Sequence, residues 1–161
     1  MNIVEEVRSK SKSAKEASYI LATLTSQIKN SALKNMAKGL RDAKEIIKTK
    51  NAIDIENGKA AGLSSAMLDR LLLNDARIEG MAAGIEKIAA LTDPVGEVIK
   101  GWIPESGINI KKVRVPIGVI GMIYESRPNV TADAAALALK SGNSIVLRGG
   151  KEAINSNIVI A

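Results

Sequence analysis

The sequence predicts an α/β fold: N-terminal helices, then a β-hairpin arm, then the first βαβ part of a parallel sheet. Three observations carry that expectation. Residues 1–100 space their apolar side chains by three and four, the pattern of amphipathic helices. From Gly101 that rhythm gives way to short extended runs. Between Val113 and Gly150 the chain then reads strand, polar loop, alanine-rich helix, second strand and glycine turn, which is a βαβ unit.

Within residues 1–100, Ile3, Val7, Ile20, Leu21, Leu24 and Ile28 are expected on one stripe of a long first helix. Ser31 is placed to cap the next, where Leu33, Met36, Ala37, Leu40, Ala43 and Ile47 keep helical spacing. Asn57-Gly58 and Gly62 mark a break. Ser64 starts a short helix carrying Leu68, Leu71 and Leu72. Asn74 caps another that turns Ile78, Met81, Ile85 and Ile88 inward, and Asp93-Pro94 ends it.

Residues 101–116 form the arm. Trp102 to Pro104 and Ile108 to Val115 are extended, with the turn residues Glu105-Ser106-Gly107 between them. Ile108 and Ile110 share one face, but Val113 and Val115 have the opposite parity, so a bulge or a change of packing partner is expected across Lys111-Lys112. Residues 117–161 carry the βαβ segment. Gly118 to Tyr124 is apolar enough for a strand covered on both faces. Thr131 and Asp133 open the helix, Lys140 and Gly142 close it, and Ile145 to Leu147 is the returning strand.

Composition narrows the chemistry. The 161 residues contain no Cys, which excludes disulfides, thiolate nucleophiles and Cys-ligated metal sites within them. They contain no His either, which removes the commonest general base. No catalytic residue and no metal ligand is therefore assigned. The net charge is +6, but the 23 basic residues are interspersed with 17 acidic ones, as on solvated helix faces. Nucleic-acid binding is not expected, since the chain has no basic cluster and few aromatic side chains to stack on bases. No segment is long and apolar enough to span a membrane, and Met1 to Lys15 lacks the apolar centre of a signal peptide. A cytoplasmic location follows as the expectation.

Open parallel sheets bind ligands at the carboxyl ends of their strands, and two polar loops occupy that position. In the first, Glu125-Ser126-Arg127-Pro128-Asn129, Pro128 stiffens the backbone and biases Arg127 toward an extended conformation. Arg127 offers a fork matched to phosphate or carboxylate, although a turn in which it pairs with Glu125 is the competing reading. In the second, Arg148-Gly149-Gly150-Lys151-Glu152, two glycines permit close backbone approach and two cations flank them. A plain strand-to-helix turn competes there too. Two such loops side by side favour an anionic nucleotide. The pair Gly118 and Gly121 is not a dinucleotide fingerprint, which needs three glycines at the strand–helix turn.

The stretch PIGVIGMIYESRPNVTADAAALALKSGNSIVLRGGKEA, with LLLNDARIEGMAAGIEKIAALTDPVGEVIKGW upstream, closely resembles the glutamate-5-semialdehyde dehydrogenase family. These enzymes, also called gamma-glutamyl phosphate reductases, belong to the aldehyde dehydrogenase superfamily. The resemblance implies an aldehyde-dehydrogenase-like nucleotide-binding sheet and NADPH-dependent reduction of L-glutamate 5-phosphate to the semialdehyde, a step of proline biosynthesis. It implies NADP(H) held by Tyr124, Glu125, Ser126 and Arg127 in the first loop and by Arg148, Gly149, Gly150, Lys151 and Glu152 in the second. Arg148 is the candidate for the 2′-phosphate, on charge grounds. It also implies a homo-oligomer joined through the hairpin arm.

In that family a Cys thiolate attacks the acyl phosphate, and the chain here has none. The resemblance therefore implies an N-terminal fragment, without the catalytic domain and inactive by itself. The alternative is a non-enzymatic binding module that inserts its arm into the sheet of a full-length homologue.

Overall fold

The computed structural model describes residues 2–161. Met1, at the head of the expected helical stretch, lies outside the described residues. Helix α1 (Ile3–Leu21) opens on a capping box in which Asn2 and Glu5 each accept from the other's end of the first turn. It ends earlier than the spacing predicts. Thr25, not Ser31, caps α2 (Ser26–Asp42), so Ile28 belongs to the second helix. The expected stripe is not a core stripe either, because Ile3, Val7, Ile20 and Ile28 are all more than half exposed. Helix α1 instead lays its small-residue face, including Ala14 and Ala17, along the sheet described below.

A turn at Ala43 separates α2 from α3 (Lys44–Ala60), which runs through Asn57-Gly58 without a break. The break comes at Gly62, whose φ of +74° suits glycine. Gly58 has a packing reason instead: a Cβ there would lie 2.9 Å from Leu63. Ser64 caps α4 (Ser65–Leu71) and Asn74 caps α5 (Asp75–Ala90), as the sequence predicts. The main core forms where α2 and α5 pack together. Leu33, Ala37, Leu40, Ile47, Ile78 and Ile85 are buried in this core, and burying each Leu or Ile side chain contributes on the order of 1.5–3 kcal/mol.

The arm pairs β1 (Val98–Trp102) antiparallel with β2 (Ile110–Val113), so strand structure begins three residues before Gly101. The expected irregularity exists, but on the opposite strand. Register passes from Val98↔Val113 to Lys100↔Lys112, which leaves Ile99 as the extra residue.

The second sheet pairs β3 (Val119–Ile123) parallel to β4 (Ser144–Arg148), and α6 (Asn129–Lys140) makes the crossover. Strand β3 is only partly covered, with Ile123 79% exposed, because no third strand or helix packs on that side among the described residues. Helix α6 begins at Asn129, so Thr131 lies inside it and caps nothing. A 3₁₀ turn (Lys151–Ala153) leads into α7 (Ile154–Ile160).

Two buried polar clusters fix these elements. Lys140, at the end of α6, is 3% exposed and donates to Asn30 Oδ1 (2.6 Å) and to the Ala89 carbonyl (2.8 Å) in the last turn of α5. Lys29 is 1% exposed; it pairs with Asp93 at 2.5 Å and donates to the Lys140 carbonyl at 3.4 Å. Each ammonium thus sits at a helix C-terminus, the negative end of the macrodipole. The second cluster holds α7. Asp54 on α3 accepts from Asn155 N (3.2 Å) and Nδ2 (2.8 Å) and from Ser156 N (2.8 Å) and Oγ (2.6 Å). Asn51 joins Ser156 Oγ to the Leu71 carbonyl and the Leu73 amide.

Burial pushes the Asp93 carboxyl up, but hydrogen bonds from Lys29, the Val95 amide and Ser26, with the Lys29 charge, outweigh it and leave it below its ordinary value. A carboxylate depressed in the folded state stabilises above its unfolded pKa, and that contribution fades as pH falls through the folded one. Urea unfolding at a series of pH values should therefore lose stability below about pH 4. In Asp93→Asn that acid-side loss should shrink, and an unchanged slope would count against the assignment.

Candidate functional site at the carboxyl ends of the parallel strands

Strands β3 and β4 run side by side from Val119↔Ser144 to Ile123↔Arg148, so the loops that follow them leave from the same end. The pairing continues one step further, with Tyr124 N donating to the Arg148 carbonyl at 3.1 Å. Arg127 N then donates to the Glu125 carbonyl at 2.6 Å, a tight turn that lets Pro128 lead into α6. Across the gap, Ser126 Oγ donates to Glu152 Oε2 at 3.4 Å. The two sequence-predicted loops are thus one surface.

Its floor is a buried chain of hydroxyls and amides. Tyr124 Oη meets Thr131 Oγ1 at 2.6 Å, and Thr131 Oγ1 donates to Asn157 Oδ1 at 3.1 Å. With Thr131 donating onward, the Tyr124 hydroxyl is the donor of the first bond. This chain ties the first loop to α6 and α7. Asn157 Nδ2 is buried with no partner, an arrangement that costs about 1–3 kcal/mol. The sequence marks Thr131 only as a helix opener and Asn157 not at all, since each looks there like an ordinary polar residue near a helix.

The glycines serve this packing. A Cβ on Gly149 would collide with Asn157 Nδ2 and stand 3.1 Å from the Tyr124 ring, and one on Gly150 would meet Glu152 at 2.7 Å and the Glu125 backbone. Their bareness admits the chain's own groups. Above them the charged side chains are unburied: Glu125, Arg148 and Lys151 are exposed and Glu152 is partly buried.

Arg127 does not pair with Glu125; among the described residues, arginine ion pairs belong to Arg41, Arg77 and Arg114. No residue of the second loop lines the groove that Arg127 lines. That groove, of about 400 Å³, is shared with Arg70, Arg77, Asn129 and Asp133. Of the nine residues predicted for the site, the structure joins Tyr124, Glu125, Ser126, Gly149, Gly150 and Glu152 by contact, sets Arg148 and Lys151 beside them, and turns Arg127 outward. A larger groove, about 1010 Å³, runs between α3 and the start of α5, remote from both loops. Among the described residues no cluster of carboxylates suits a metal ion, and no helix is long and apolar enough to cross a membrane.

The chain is 53% identical over its whole length to a gamma-glutamyl phosphate reductase of Halothermothrix orenii and spans 38% of that relative. It superposes on a gamma-glutamyl phosphate reductase of Thermotoga maritima with a TM-score of 0.94 and 48% identity, over 96% of this chain and 37% of that one. An acetylating aldehyde dehydrogenase of Geobacillus thermoglucosidasius shares the fold, with a TM-score of 0.60 and 18% identity over 98% of this chain and 32% of its own. No protein-family model matches the chain. The two gamma-glutamyl phosphate reductases carry the name of an enzyme, and neither supports the reading of a non-enzymatic module.

The contact beneath Gly149 is testable by a double-mutant cycle. Gly149→Ala should destabilise the fold by about 2 kcal/mol, as overpacking does. In an Asn157→Ala background the penalty should fall to less than half, measured by thermal unfolding of all four proteins. An equal penalty in both backgrounds would place the strain elsewhere.

Proposed function

We propose that this chain, which belongs to the gamma-glutamyl phosphate reductase family along the 38% of a relative's length that it spans, forms part of that enzyme's cofactor-binding half. The activity is NADPH-dependent reduction of L-glutamate 5-phosphate to L-glutamate 5-semialdehyde, in cytoplasmic proline biosynthesis. The observation that carries this reading is the union of two chemically different loops on one surface at the strands' carboxyl ends.

The donor set fits the ribose–phosphate end of a nicotinamide dinucleotide. Arg148 and Lys151 are exposed cations beside the strand end, where phosphates need positive charge. Glu152 is a partly buried carboxylate braced by Ser126 and suited to accept from ribose hydroxyls. Arg148 would take the 2′-phosphate that separates NADPH from NADH. The Tyr124–Thr131–Asn157 chain keeps the first loop from shifting as the ligand arrives. When bound, the nicotinamide supplies hydride to an acyl carbon. These residues contain no thiol, so the part described here binds and orients and makes no acyl bond of its own.

We assign the arm to association between subunits. Every residue of β1 is exposed, as are Ile103 and Ile108 beyond it, and a lone two-stranded sheet is marginal in water.

Replacing Arg148 with Ala should weaken NADPH binding to the chain by about 10- to 100-fold, the scale of a charge-assisted hydrogen bond, and leave NADH nearly unchanged in calorimetric titrations. An equal loss for both would remove the 2′-phosphate role. Sedimentation equilibrium should find the chain self-associated, and Ile103→Asp with Ile108→Asp should shift it to monomer. A chain already monomeric at every concentration would leave the arm without that role.

A further inference from the structure

The arm stands away from the helical body, and its two roots decide which way it points. Strands β1 and β2 pack chiefly on each other. The pair is therefore held to the body at its ends, by Asp93 to Gly96 on entry and by Arg114 to Gly118 on exit.

Both roots are fastened to one place, the turn between α6 and β4. On entry, Asp93 Oδ2 pairs with Lys29 Nζ at 2.5 Å and accepts from Ser26 Oγ at 2.8 Å, while its Oδ1 accepts from Val95 N at 3.0 Å. Lys29 is the buried lysine that also donates to the Lys140 carbonyl at the end of α6. On exit, Gly118 N donates to Asn143 Oδ1 at 2.8 Å, and Ser144 N donates to the Gly118 carbonyl at 2.9 Å. The roots are also tied to each other: Gly96 N donates to the Arg114 carbonyl and Arg114 N to the Glu97 carbonyl, both at 3.0 Å.

Gly142 is where the roots converge. It is buried and holds a φ of +72°, which favours glycine. A Cβ there would lie 2.9 Å from Pro116 Cγ on the exit root and 3.2 Å from Val95 Cγ2 on the entry root. It would also stand 3.5 Å from the Leu21 carbonyl oxygen, at the end of α1. Both roots thus lie directly on the backbone of the turn. Lys29, Lys140, Gly142 and Asn143 are all buried, so these contacts are internal to the chain.

We propose that Asp93 and Gly142 form a two-point clamp that points the arm in one direction before it meets a second copy of this chain. The choice of partner rests on the reading of the arm as the association surface; the clamp itself does not. Association costs less when the docking element is already ordered. Asp93 and Gly142 are therefore positioning residues for association, although neither belongs to a strand of the arm.

Trp102, on β1, is the chain's one tryptophan, so time-resolved fluorescence anisotropy reads the motion of the arm. All samples carry Ile103→Asp with Ile108→Asp to keep arms apart. There Trp102 should depolarise with the tumbling of the whole molecule. Gly142→Ala should add a nanosecond component of arm motion. Asp93→Asn, which leaves Lys29 without its counter-charge, should do the same and keeps the test open should Gly142→Ala not fold. Gly62→Ala is the control. Gly62 has a φ of +74° and open space where a Cβ would sit, so the variant bears the same backbone strain without touching a root. It should unfold at a lower temperature with Trp102 unmoved. With the natural arm restored, Gly142→Ala should weaken self-association at least about tenfold in sedimentation equilibrium, and Gly62→Ala should not. An arm already mobile in the parent, or equally stiff in Gly142→Ala and Gly62→Ala, overturns the clamp. Unchanged association in a Gly142→Ala chain whose arm has loosened overturns its part in docking. A chain monomeric at every concentration removes the association reading, and the anisotropy still decides the clamp.

Discussion

Two buried lysines at helix ends hold the helices in register, and the position of the candidate surface depends on them. Lys140 closes α6 on the last turn of α5, and Lys29 ties α2 to the end of α6 by donating to the Lys140 carbonyl while pairing with Asp93. A buried ammonium is costly unless its hydrogens are satisfied, so these contacts tolerate little sliding of one helix against another. Helix α6 is short and stiff, with about 1.5 Å of rise per residue. Fixing its C-terminus in the helical core therefore fixes its N-terminus, where Asn129 and Thr131 meet the first loop. A two-stranded parallel sheet could not supply that stability by itself.

The helical core was largely legible in the sequence, and the reason is physical. Leu33, Ala37 and Leu40, and Ile78, Met81 and Ile85, are all buried, so three-and-four spacing and burial coincide. The same rule misplaced α1, because apolar spacing marks a face without saying what covers it. Its partner is a small sheet that receives alanine and serine, which leaves Ile3, Val7 and Ile20 outside. The parity change in the arm did announce a bulge. Which strand carries the extra residue depends on pairing, and pairing is not a local property.

Residues that support the site were harder to read. Ile47, Asn51, Asp54 and Gly58 recur at helical spacing on α3 and are all buried. A polar pair inside an otherwise apolar stripe was the available signal, since buried polar groups carry more information than exposed ones. Nothing local said that their partners would be Asn155 and Ser156, about a hundred positions away. The two glycines of the second loop were read as room for a ligand. They are room for Asn157, Tyr124 and Glu152, and only a fold that brings α7 under the loop reveals it.

The direction of Arg127 changes how the first loop should be understood. Sequence position groups it with the cations of the second loop, because both loops leave neighbouring strand ends. The turn closed by Arg127 N and the Glu125 carbonyl comes just before Pro128, and Arg127 lines a groove with residues of α4 and α5. Successive residues of one short loop thus face different surroundings: Ser126 braces Glu152, while Arg127 stands among Arg70, Arg77 and Asp133. A stiff loop anchored below by Tyr124 and Thr131 couples those two surroundings, because its two sides cannot move independently.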